Sequence, residues 1–126
     1  MSFTGTTVGV SAESAGTSAL CPATTHTELS PEVVYQWTPS ASGTATFETC
    51  NATLTKYDTA LYLRSAPCAT GTELACDDNA AACDVLGAAG KGSKFTASVT
   101  VNTTVYIIVD GFNGAAGAYS LKVTPP

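Results

Sequence analysis

Asp58, Asp77, Asp78, Asn79 and Asp110 are the residues whose chemistry and spacing point to a ligand. Asp58 opens the run Tyr57-Asp58-Thr59-Ala60-Leu61-Tyr62-Leu63-Arg64-Ser65, which reads as a half-buried strand. Cys68 and a short loop follow, then Glu73-Leu74-Ala75-Cys76 as a second strand and Asp77-Asp78-Asn79 as an acidic turn. A hairpin returns that turn to the sheet end where Asp58 begins, and Asp110 closes a later apolar strand that can finish nearby. Clustered oxygens on turns suit a hard cation, and calcium takes about six to eight of them. Adjacent carboxylates repel, so Asp77-Asp78 is the part of the set that most calls for a cation. The competing reading is that Asp and Asn at strand ends cap nearby N–H groups.

No other chemistry has a full complement of residues. Glycoside hydrolysis needs two opposed acids across a cleft, and nothing in the pattern shows one. His26 is the single histidine, and no Gly-x-Ser-x-Gly elbow occurs. The chain is therefore read as a non-enzyme. Zinc has no Cys-x-x-Cys to hold it.

With 126 residues the chain is expected to form one domain, 1–126, with a real core. Hydrophobic residues at 44% and charged residues at 12% exclude disorder, and the abundance of Thr, Ser, Ala and Gly suits strands and turns. A net charge of −5, with five scattered basic residues, argues against nucleic acid. No apolar stretch is long enough for a membrane span. The start carries no signal-peptide pattern, and Pro125-Pro126 reads as a domain edge or linker.

Five cysteines indicate an oxidising, secreted, extracellular or cell-surface setting. Cys68 and Cys76 flank the short hairpin and are expected to pair. Cys50 with Cys83 is the second expected pair, although Cys21 is within reach of either. The odd cysteine is left free or joins subunits.

Alternating apolar residues dominate, and helical periodicity is nearly absent. Strands are expected at residues 6–10, 33–38, 44–50, 59–65 and 72–76, with Ala45, Phe47 and Thr49 facing inward. Residues 77–92 read as the longest loop, with an Ala-rich helical turn conceivable at 79–86. Three further strands, about residues 95–101, 105–109 and 119–123, read as an antiparallel meander. About eight short strands predict an all-β, antiparallel, jelly-roll-like β-sandwich.

With those residues in hand, the chain resembles the bacterial pre-peptidase C-terminal (PPC) type domain, in a cysteine-containing variety of secreted proteins. The matching blocks include Pro31-Glu32-Val33-Val34-Tyr35-Gln36-Trp37, Asp58-Thr59-Ala60-Leu61-Tyr62, Ala75-Cys76-Asp77-Asp78, Val105-Tyr106-Ile107-Ile108-Val109-Asp110-Gly111-Phe112 and Gly117-Ala118-Tyr119-Ser120-Leu121. The resemblance implies a jelly-roll-like sandwich appended to a secreted enzyme or surface protein, often calcium-binding and not catalytic. Family members often carry an acidic cluster near the N-terminus, where residues 11–16 here offer only Glu13. The expected function is a non-catalytic, calcium-stabilised accessory module tethering its parent to a polysaccharide or an extracellular matrix protein. Phe112, in the glycine-rich 111–117 turn, is the expected aromatic partner contact. The alternatives are a subunit of an extracellular assembly or adhesin, joined through a sheet edge or the odd cysteine, and a removable C-terminal segment of a secreted peptidase.

Overall fold

Strict alternation of apolar and hydroxyl residues builds one sheet, and continuous apolar runs build the centre of another. The computed structural model describes residues 1–17, 21, 30–81, 83, 85 and 91–126. Its strands are β1 (Ser2–Thr6), β2 (Val33–Trp37), β3 (Gly43–Glu48), β4 (Thr59–Ser65), β5 (Glu73–Asp77), β6 (Lys94–Val99), β7 (Val105–Gly111) and β8 (Ala118–Thr124). They form two four-stranded antiparallel sheets, ordered β1-β8-β3-β6 and β2-β7-β4-β5. The protein is thus an all-β sandwich with the strand order of a jelly roll.

The core lies between the sheets. Ala45 and Phe47 of β3, with Tyr119, Leu121 and Val123 of β8, face Leu61 and Leu63 of β4 and Ile107 and Val109 of β7. The Phe, Leu, Ile and Val side chains among them each contribute about 1.5–3 kcal/mol when fully buried. Phe47 stacks on Phe95 and meets Trp37 edge-on, which locks the two sheets in register. Thr49 is buried beside Ala45 and Phe47, as the alternation predicts.

Two sequence expectations are corrected. The first strand is Ser2–Thr6, paired with β8, rather than 6–10. Val8 and Val10 are exposed, Gly9 takes a left-handed φ of 84°, and the Val10 N–H donates to the Thr7 carbonyl, so the chain turns there. The last three strands are not a meander. β6 pairs with β3, β7 with β2 and β4, and β8 with β1 and β3. Among the described strands only the β4–β5 connection stays within one sheet, so the 100–104 and 112–117 turns arch across the core. A short polar turn between two alternating runs looks the same whether it closes a hairpin or bridges two sheets. The suggested helical turn at 79–86 lies partly outside the described residues.

The cysteine pairing also differs. Cys76 bonds Cys21, Cys50 bonds Cys83, and Cys68 is free. Cys76 sits opposite Tyr62, four residues past Thr72, whose carbonyl accepts the Ser65 N–H at the mouth of the loop holding Cys68. Four strand residues span about 13 Å. A disulfide needs Cα atoms within about 7 Å, a condition that Cys76 meets with Cys21, at 6.3 Å.

Candidate functional site

The strand register brings the predicted acids to one sheet end. Asp58 precedes β4, Asp77 faces Leu61 at the end of β5, and Asp110 faces Ala60 near the end of β7. Their side chains then part company. Lys91 Nζ lies 3.0 Å from Asp58 Oδ2 and 6.0 Å from the centre of the Phe112 ring. Asp77 Oδ2 accepts the Lys94 N–H at 2.9 Å, tying β5 to β6. Asp78 is buried, its Oδ2 accepting from Asn79 Nδ2 at 3.0 Å. A hydroxyl network seals this end: Ser93 Oγ donates to the Thr59 carbonyl at 2.6 Å, and the Ser93 N–H donates to Thr49 Oγ1 at 2.9 Å. The Cys50–Cys83 disulfide braces it.

Asp110 points to the opposite, outer face of its sheet, where it is fully buried. Tyr62 donates its hydroxyl to Asp110 Oδ2 at 2.9 Å, and the Gly111 N–H donates to Oδ1 at 2.7 Å. Burial pushes the Asp110 carboxyl up to about 8, against those two hydrogen bonds. The cover over this face is the strap of residues 11–17 with Cys21. Glu32 accepts the Glu13 N–H at 2.8 Å and the Ser14 N–H at 2.6 Å. Arg64, also buried, donates to the Ala15 carbonyl, and Glu73 accepts the Thr17 N–H at 2.7 Å. A Cβ on Gly16 would run into the Cys21 carbonyl, so the strap needs glycine there. Tyr62, Ile108, Cys76 and Cys21 form a second apolar cluster beneath it. Sequence reasoning missed Glu32, Arg64, Glu73 and Lys91. The available signal was a charge inside an otherwise apolar strand, as at Arg64 and Asp110, which is stable only when something polar covers it.

A groove opens at the other end of the sandwich, between the edges of β5 and β6. It is a shallow, open groove of about 640 Å³, with Val99 and Val105 among its apolar lining and Ser98, Thr100, Asn102 and Thr103 among its polar lining. The β4–β5 register pairs Leu63 with Ala75 and Arg64 with Glu73, leaving Leu74 as the extra residue of a bulge. Leu74 lines the groove and is 46% exposed. Across from it, Asn102 holds a left-handed φ of 60° in the turn closed by the Thr103 N–H to the Thr100 carbonyl.

This arrangement has a solved counterpart. Over 98% of this chain and 88% of the other, the fold is similar to the pre-peptidase C-terminal domain of a collagenase from Bacillus anthracis, at 13% identity and a TM-score of 0.58. The chain has the fold of a pre-peptidase C-terminal domain. No protein-family model matches the sequence, and no curated protein does. Two family 35 carbohydrate-binding modules also align, one from an environmental isolate and one from Clostridium thermocellum. They do so at 11% and 10% identity over 78% and 100% of this chain and 72% and 92% of theirs. Their TM-scores of 0.38 and 0.43 are too low to carry an argument. At 13% identity the pre-peptidase C-terminal likeness establishes the fold alone.

Calcium can be weighed against this pre-peptidase C-terminal fold directly. Among the described residues, no three of His, Cys, Asp and Glu converge on one point. Asp58 Oδ1 is buried without a hydrogen bond, but a buried carboxylate oxygen here and there is far short of the about six to eight converging oxygens that calcium takes. Lys91 already supplies a positive charge to Asp58, and Asp110 faces away under the strap. The five residues share a sheet end and do not fit one calcium ion in this arrangement. Adding calcium after EDTA is therefore expected to leave the melting temperature unchanged. A site filled to a hundred times its dissociation constant would add about 2.7 kcal/mol, which a melt detects easily. A calcium-dependent rise that Asp77→Ala abolishes would reinstate the carboxylates as ligands. Phe112 is half-buried, with its N–H donating to the Asp58 carbonyl at 3.0 Å and Lys91 near its ring, so it is a partly covered aromatic.

Proposed function

We propose that the domain is a non-catalytic, extracellular accessory module that tethers a secreted enzyme or surface protein to an insoluble substrate or matrix. The observation that supports this reading is the fold match, over nearly the whole chain, to the pre-peptidase C-terminal domain of a collagenase. The chemistry of the chain agrees with it. The buried acids are spent on holding the strap and closing the sheet end, and two disulfides brace a fold suited to an oxidising compartment. The test is sedimentation of the pure domain with microcrystalline cellulose, chitin or collagen fibrils. Retention on at least one of them, above that of an unrelated acidic protein of similar size, is expected. A domain left in the supernatant by all three would sink the tethering role.

A further inference from the structure

We infer that the groove between β5 and β6 is the binding site for a neutral oligosaccharide, an assignment that rests on the tethering reading and gives it a ligand class. Charge decides first. None of the described residues lining the groove is ionisable, so among them nothing offsets a phosphate, a carboxylate or an ammonium. What remains is an apolar patch made mainly by the exposed Leu74, with the nearly buried Val99 and Val105 behind it, beside a rim of hydroxyls and one carboxamide. A pyranose has matching parts: an apolar C–H face to lie on the floor, and hydroxyls that both donate and accept. The volume falls within the range of small-ligand sites, about 300–1,000 Å³, and suits a short stretch of glycan.

Two departures from regular backbone flank this groove. The bulge at Leu74 takes one residue out of the β4–β5 ladder and places an exposed leucine on the groove. Bulges recur where a strand must re-aim a side chain. Opposite, Asn102 adopts the left-handed conformation, a geometry tolerated by Asn through its short polar side chain. Among the described residues no hydrogen bond engages the carboxamide of Asn102 or the hydroxyls of Ser98, Thr100 and Thr103, so all four are available to a ligand.

The experiment titrates the isotope-labelled domain with cellohexaose, chitohexaose and maltohexaose while following backbone amide shifts. Shifts are expected at residues 65–66, 74 and 98–105 with at least one of the three. Leu74→Ser, at an exposed position, and Asn102→Asp, which keeps a left-handed-tolerant residue and adds charge, are each expected to weaken binding about tenfold. Phe112→Ala, at the other end of the sandwich, should leave the affinity unchanged. Absence of shifts with all three glycans, or shifts gathered at residues 111–117 and lost in Phe112→Ala, would overturn the assignment. Sedimentation separates the two claims. If both groove variants are retained on a polysaccharide as well as the native domain, or if only collagen retains it, the tethering role stands and the groove assignment falls.

Discussion

Replacing Cys21 and Cys76 together by alanine is expected to lower stability by about 4 kcal/mol, and the melting temperature by about 15 °C. The bond joins residues 55 apart in sequence, so its loss releases a long loop in the unfolded chain. It also removes the covalent anchor of the strap, since both cysteines are buried in the cluster with Tyr62 and Ile108. The Cys50–Cys83 bond spans 33 residues and has nearly the same entropic value, so replacing it should lower the melting temperature by a similar amount. Hydrogen exchange tells the two apart. The Glu13, Ser14 and Thr17 amides, held by Glu32 and Glu73, should exchange faster without Cys21–Cys76 and unchanged without Cys50–Cys83. Equal protection in both variants would mean that the side-chain grip of Glu32, Arg64 and Glu73 holds the strap unaided.

Stability is expected to fall as pH rises from about 4 to about 8, and Asp110→Asn is expected to flatten that slope. The Asp110 carboxyl is raised from 3.8 to about 8 by burial, so between those values the folded chain keeps a proton that the unfolded chain has lost. Its stabilising contribution is complete below the unfolded value and disappears as pH climbs through the folded one. The groups facing Asp110 are Tyr62 and Arg64 from β4 and Glu32 from the approach to β2. Burial raises Glu32 as well, which adds to the same trend, while Arg64 opposes it by favouring the ionised acid. Asparagine reproduces the neutral acid: its carbonyl can accept the Gly111 N–H, and its amide can donate to the Tyr62 hydroxyl. Urea midpoints measured across this pH range test the point. A slope that survives in the asparagine variant would assign the proton to Glu32.

The two effects meet on one sheet face, and they say how this sandwich is stabilised. β4 and β7 are buried on both sides, between the core on one face and the strap on the other. A strap cannot pair with the sheet as a strand without adding to its edge. It is gripped instead by side chains that reach its main-chain groups, which is why Glu32, Arg64 and Glu73 are charged residues turned towards backbone. The pairs on the other sheet are of a different kind. Lys94 and Lys122 flank Glu48 in the open and hold its carboxyl low against the pull of partial burial, a contribution that salt screens.

The amino-acid sequence by itself determined the fold class, the strand at 59–65 to its exact ends, and the inward set of Ala45, Phe47 and Thr49. Period-two alternation is a local property, and burial of one face enforces it wherever the strand sits. The shared end of Asp58, Asp77 and Asp110 was legible for the same reason, because strand direction follows from hairpin and turn positions. Tertiary structure alone decided which strands pair, which cysteines bond and what each acid touches. Arches and hairpins use the same turn residues, so the sheet to which β6, β7 and β8 belong depends on the packing of distant elements. Cys76 met Cys21 because the strap crosses the outer face where Cys76 points, a contact across 55 residues with no local signature. Asp110 became a buried acid, on the far side from the turn acids, through the same crossing. The groove likewise exists only because a bulge at Leu74 and an arch at Asn102 come opposite each other when the two sheets close.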